Sequence, residues 1–209
     1  MVYIYFAFTD TISKTTLYKH QQQLPEHLKN RLNNITHDGS RTNSLSGLII
    51  TNKLLTDLQT GLSLNQLSYH HHGKPLLPNG YSISIAHSDN IVLCVCSATG
   101  NVGVDVESVE NSNSLDYEDY LTPAEITALS LAHDPNKVFK QMWVRKEAVL
   151  KADGIGLLHP LSELDVTLNT AKLLNTTYYL HNVAIEKGYV AALATTQPKC
   201  IVTVKEVSF

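Results

Sequence analysis

Two carboxylates stand two residues apart in Gly103-Val104-Asp105-Val106-Glu107. In an extended strand that period puts both acids on one face and Val104 with Val106 on the other. Paired hard oxygen donors suit Mg²⁺, whose octahedron is otherwise filled by water and substrate phosphate oxygens. A strand with one wetted face would show the same alternation without binding anything. A second group lies in Trp143-Val144-Arg145-Lys146-Glu147-Ala148-Val149-Leu150-Lys151, where Trp143, Glu147 and Lys151 recur every four residues on one helical face. There a carboxylate and an ammonium point the same way, as they also would in an ordinary surface pair. His87 and Ser88 could donate to phosphate oxygens at a strand end, although a histidine there also serves structure alone. Lys29, Arg31, Arg41 and the Lys74 of Gly73-Lys74-Pro75 are scattered cations that matter only if the fold gathers them about one anion. His70-His71-His72 reads as a polar loop, because three consecutive rings cannot all face one ion in a regular element.

The elements that must carry these residues follow from periodicity. Residues 2–8 predict a buried strand. Leu24, Leu28 and Leu32 fall on one face of a helix over 16–32. A turn over 37–40 leads to a helix over 41–58, with Leu45, Leu48, Ile49, Leu54 and Leu55 in its stripe. Gly73-Lys74-Pro75 and Pro78-Asn79-Gly80 are turn chemistry, and β-branched alternation over 81–106 predicts three short antiparallel strands. After a loop at 111–114, Thr122-Pro123-Ala124-Glu125 has the cap residue, Pro and Glu of a helix start. The helix over 137–152 stops at Gly154, and two or more strands finish the chain. Residues 81–95 and 183–194 echo each other as strand, turn and apolar strand, the mark of two similar halves.

The 209 residues fit one large domain or two small ones. At 43% hydrophobic and 17% charged residues, the composition excludes disorder. A formal net charge of -3 argues against a dedicated nucleic-acid binder. Cys94, Cys96 and Cys200 form no CxxC pair, so a reducing compartment is expected and the first two read as core residues. With neither a signal peptide nor a membrane-spanning run in evidence, a cytoplasmic protein without membrane attachment is expected.

Taken in order, Gly73-Lys74-Pro75, Ile85-Ala86-His87-Ser88, GxDxE at 103–107 and WxxKExxxKxxGxG from Trp143 through Gly156 resemble the 4'-phosphopantetheinyl transferase superfamily. Asp38, Arg41, Leu45 and Gly47 are similar to a family pattern upstream, so the likeness covers most of the chain. Its length resembles the surfactin-synthetase-activating type. The resemblance implies an α+β pseudo-dimer of two similar halves, 1–102 and 103–209, each a mainly antiparallel sheet on a long helix, acting as a monomer with the site between them. It further implies transfer of the 4'-phosphopantetheine arm from coenzyme A to a serine of an acyl or peptidyl carrier protein. On that likeness Asp105, Glu107 and Glu147 would hold Mg²⁺ or Mn²⁺, and Glu147 would be the base, with Glu107 as its substitute. Lys151 would steady charge on the phosphates. Lys29, Arg41, Lys74, Pro75, His87 and Ser88 would bind coenzyme A. Glu125 stays outside the ligand set because the capping box already explains it. Ser84 and Ala86 stand where the family usually has Asn and Ser, implying one phosphate donor fewer. Two other readings stand beside this one: a homologue that binds coenzyme A or a carrier without transfer, and an unrelated Mg²⁺-dependent phosphohydrolase.

Overall fold

A computed structural model describes residues 1–110 and 117–208; the loop expected at 111–114 lies outside them. Ten strands and five α-helices follow one another along the described residues. The first part holds β1 (Val2–Phe8), α1 (Lys14–Gln23), α2 (Glu26–Asn33), α3 (Asp38–Asp57), β2 (Ser68–Tyr69), β3 (Pro75–Leu76), β4 (Ser82–Ser88) and β5 (Ile91–Ser97). The rest holds β6 (Val102–Ser108), α4 (Pro123–Ser130), α5 (Pro135–Asp153), β7 (Thr170–Leu173), β8 (Thr176–Asn182), β9 (Tyr189–Thr195) and β10 (Val202–Glu206). They build an α+β fold with two sheets, ordered β10-β1-β5-β4-β3-β2 and β6-β9-β8-β7.

Strand parity sorts the core into layers. On β5, Val92, Cys94 and Cys96 face the leucines and isoleucines of α3, while Ile91, Leu93 and Val95 face the second sheet. On β9, Ala192 and Ala194 face α5, and Ala191 with Leu193 faces the first sheet. Both strands are therefore buried on both faces, which explains their near-continuous apolar runs. Cys94 and Cys96 are fully buried core residues, and burial pushes their thiols up to about 12. The last strand returns to the beginning: β10 pairs in parallel with β1. Lys205 of β10 donates to Asp57 at the end of α3 (3.2 Å), where Tyr5 of β1 donates as well (3.0 Å).

Four expectations change. The helix over 16–32 is two helices, because Pro25 lacks an N–H and its predecessor Leu24 is extended; Leu24, Leu28 and Leu32 are nevertheless all buried. Residues 37–40 form a helix start instead of a turn: the His37 Nδ1 accepts from the Ser40 amide and caps α3. Of the three strands over 81–106, β4 and β5 form the antiparallel hairpin, but β6 leaves for the second sheet and pairs with β9. In the later echo the strand before the turn is β8, ending at Asn182, so residues 183–188 are the connection.

Candidate active site

Gly103 sets the geometry. A Cβ built there would overlap the Ala148 carbonyl oxygen and the Ala152 nitrogen and come within 2.9 Å of the Ala152 Cα. With no side chain at 103 and alanines at 148 and 152, β6 and α5 meet almost backbone to backbone. The residues at the next positions on the same faces, Asp105 and Lys151, then come into direct contact: Lys151 Nζ donates to Asp105 Oδ1 at 2.6 Å.

Asp105 is 4% exposed, and its Oδ2 is buried without a hydrogen-bond partner. Burial raises the Asp105 carboxyl above its usual range, with Lys151 opposing. Burial also works against the Lys151 ammonium, but the charges of Asp105, Glu147 and Glu107 outweigh it and hold the group above the ordinary lysine value. Glu107 and Glu147 are both raised, first by burial and then by the nearby Asp105 charge. The three acids and Lys151 thus form one electrostatic cluster. Among the described residues no group of three His, Cys, Asp or Glu side chains is gathered tightly enough to define a metal centre. The donor chemistry still fits a hard divalent cation: carboxylate oxygens alone, one of them orphaned, whose mutual repulsion a cation would relieve.

A cleft of about 210 Å³ opens beside the cluster, lined by Lys74, Pro75, Ser84, Glu147, Lys151 and Gly154 among others. It shares the lining residues Gly73, Pro75 and Ile85 with a second hollow of about 170 Å³ that reaches His87 and Arg31. Lys74 donates to the Ala152 carbonyl at the end of α5, beside Gly154, whose φ of +93° closes that helix. Burial brings the Lys74 ammonium down to about 8, against the pull of Asp153. Burial and the Lys151 charge lower the His87 imidazole, with Asp105 opposing. Ser88 donates to Glu107 Oε2 at 3.2 Å.

The fold therefore brings together Lys74, Pro75, His87, Ser88, Asp105, Glu107, Glu147 and Lys151. Lys29 and Arg41 lie outside the lining of both hollows, and Arg41 is paired with Asp38 one turn earlier in α3. Arg31 takes the place on the groove that residue type alone could not assign: its guanidinium lies 3.9 Å from the centre of the Tyr69 ring. Lys29 and Arg31 both lie between the buried Leu28 and Leu32, so the sequence offered no signal that separates the two. Lys140, seven residues before Glu147 and hence two turns away on the same face, donates to the Ser108 carbonyl and its charge opposes the rise of the Glu107 carboxyl. Ala86 is 2% exposed and packs in the layer between the sheets. A serine there would face the buried seam between the sheets.

The signature lysine beside Glu147 has a structural duty. Lys146 is fully buried, 2.7 Å from Glu125, and donates to the carbonyls of Leu161 and Leu164. Glu125 also accepts from the amides of Thr122 and Val166, which anchors α4 and the 160s segment to α5.

Residues 101–194, from the edge of β6 to β9, match the sequence model of the 4'-phosphopantetheinyl transferase superfamily. The chain is 30% identical over 112 residues to the 4'-phosphopantetheinyl transferase HetI of Nostoc sp. strain PCC 7120, covering 49% of this chain and 47% of that protein. It thus spans about half the length of that relative. It is 24% identical over 173 residues to the 4'-phosphopantetheinyl transferase Sfp of Bacillus subtilis strain 168, covering 77% and 76% of the two chains. A solved structure, the holo-[acyl-carrier-protein] synthase of Thermotoga maritima, aligns loosely, with a TM-score of 0.37 and 18% identity over 46% of this chain and 61% of that one. With its GxDxE strand and WxxKE helix both inside the matched residues, the chain is similar to the 4'-phosphopantetheinyl transferase superfamily over residues 101–194.

Proposed function

We propose that this protein transfers the 4'-phosphopantetheine arm of coenzyme A to a serine hydroxyl of an acyl or peptidyl carrier protein, releasing adenosine 3',5'-bisphosphate. The observation that carries this reading is the cluster of three carboxylates and Lys151 at the end of a cleft that also holds Lys74. Such a cleft suits a polyanion whose scissile phosphorus must sit among both signs of charge. The chain acts in this reading as a monomeric pseudo-dimer of halves 1–102 and 103–209, in the cytoplasm; no helix among the described residues is long and apolar enough to cross a membrane.

Asp105, Glu107 and Glu147 would hold Mg²⁺ or Mn²⁺, which when bound supplies charge neutralisation to the pyrophosphate. Phosphoryl transfer asks the protein mainly for position and electrostatics. Lys74 and Arg31 line the path for the nucleotide end of coenzyme A, and His87 is placed for the pyrophosphate. Glu147, its carboxyl raised by burial and by Asp105, takes the proton of the carrier serine as its oxygen attacks the β-phosphorus. Lys151 then donates to the phosphate oxygens as charge moves to the leaving bisphosphate.

The test is intact-protein mass spectrometry of an apo carrier protein incubated with coenzyme A, Mg²⁺ and this protein. A phosphopantetheine-sized gain is expected, lost with EDTA and with Asp105→Ala. Binding of coenzyme A without any gain on several carriers would replace the transferase by a non-catalytic binder.

A further inference from the structure

β4 and β6 belong to different sheets yet run alongside each other at a fixed offset. The amide of Val102 donates to Ser82 Oγ (3.0 Å), that of Val104 to Ser84 Oγ (3.3 Å) and that of Ser108 to Ser88 Oγ (3.2 Å), each twenty residues apart. β6 is the edge strand of its sheet, and its even-numbered amides would otherwise have no acceptor on that side. Serine hydroxyls of β4 stand in for a neighbouring backbone. The series has one gap: the residue in register with Val106 is Ala86, whose side chain cannot accept. The Val106 amide instead acts on the adjacent Asp105 carboxylate.

Only one of these hydroxyls has a second duty. Ser88 Oγ accepts from Ser108 and spends its own proton on Glu107 Oε2 at 3.2 Å. A hydroxyl has a single proton, so in this arrangement Ser88 offers none to a phosphate. We propose that Ser88 is a positioning residue, which ties the Glu107 carboxylate to the serine seam and so fixes the direction from which Glu107 approaches a cation. The proposal rests on the reading of Glu107 as a cation ligand. It moves Ser88 from coenzyme A binding to cation binding.

The test compares Ser88→Ala, Ser88→Thr and Ser82→Ala with the unaltered protein. Mn²⁺ binding is followed by electron paramagnetic resonance and coenzyme A binding by calorimetry without metal. Loss of an outer-shell partner should weaken Mn²⁺ about tenfold in Ser88→Ala, leave coenzyme A affinity unchanged, and be reversed in Ser88→Thr, which keeps the hydroxyl. Ser82→Ala, at the seam's far end, should lower thermal stability and leave Mn²⁺ binding alone. Weaker coenzyme A binding with unchanged Mn²⁺ binding in Ser88→Ala would overturn the proposal and return Ser88 to the phosphates. Failure of the unaltered protein to bind Mn²⁺ would overturn it too. If Ser88→Ala does not fold, Ser88→Thr decides: native Mn²⁺ affinity supports the proposal and tenfold loss overturns it. These readouts need no transfer activity, so an inactive protein would sink the functional reading and leave the seam to be judged on its own.

Discussion

Each of the two sheets carries one long helix, but the two contacts are made from different material. Between α3 and β5 the contact is mainly apolar: Leu48, Ile50, Leu54 and Leu55 are buried against Val92, Cys94 and Cys96, with one side-chain hydrogen bond between Thr51 Oγ1 and Cys94 Sγ at 3.3 Å. Between α5 and β6 the contact is made by Gly103, Ala148 and Ala152, and ionised side chains stand at its margin. Large side chains hold backbones apart and fill the space with dispersion contacts. Small ones let the backbones close, so that a short aspartate and a long lysine from different elements meet at hydrogen-bond distance. The first contact is built for stability and the second for chemistry.

Removing a charge from one contact and volume from the other separates the two roles most sharply. Glu147→Gln should lower carrier modification by about 10²–10⁴-fold, as for loss of a general base, with little change in the melting curve. Leu54→Ala, in the apolar contact, should cost about 2–5 kcal/mol of stability and leave the turnover of the folded fraction intact; calorimetry and the mass assay read the two quantities. The second half carries one feature that breaks this division. Lys146→Met would leave Glu125 buried without its counter-charge, a loss of about 3–5 kcal/mol in chemical denaturation.

Adding a methyl group probes the same division. Gly103→Ala meets backbone atoms that cannot give way, and about 3 kcal/mol of destabilisation is expected. In Gly47→Ala the new methyl meets side-chain atoms, the Ile85 Cγ2 at 2.9 Å and the Val92 Cγ1 at 3.6 Å, and the gain of about 1 kcal/mol in helix propensity offsets the crowding. Paired melting curves check both; equal losses would show that the two contacts are equally tight.

Lys74, which reaches across to the Ala152 carbonyl at the end of α5, gives the comparison a pH signature. Its ammonium, brought down to about 8, is charged below that pH and neutral above it. The kcat/KM for coenzyme A should therefore fall as pH rises through about 8, on the order of tenfold. Lys74→Arg, which cannot lose its proton, should flatten that limb. The smallest effect expected is that of Ala86→Ser. A fourth hydroxyl in the seam would add about 1 kcal/mol, or about 2–4 °C in the melting midpoint, with the coenzyme A affinity unchanged.

The site was legible in the sequence wherever chemistry and periodicity coincide. The period of two in GVDVE and of four in Trp143, Glu147 and Lys151 placed the acids and the lysine on the faces they occupy. The capping box at Thr122 and the stop at Gly154 were equally local, and both stand in the structure. What could not be read depends on partners distant in sequence. Whether Lys29 or Arg31 faces the groove depends on how α2 rotates against Tyr69. That β6 leaves its hairpin neighbours follows from β9, more than eighty residues later. The inward direction of Ala86 depends on a seam between sheets that no single strand pattern records.

The parallel pairing of β10 with β1 sets an order in time. At about 5–20 residues per second of synthesis, β1 waits roughly 10–40 s for the strand that completes its sheet. During that interval the second sheet and α5 can form, while one side of β1 keeps a row of unpaired backbone groups open to any passing strand. The Tyr5–Asp57–Lys205 contact is then the last lock to engage, so the first sheet is completed only after the strand and helix that hold the carboxylates have been made.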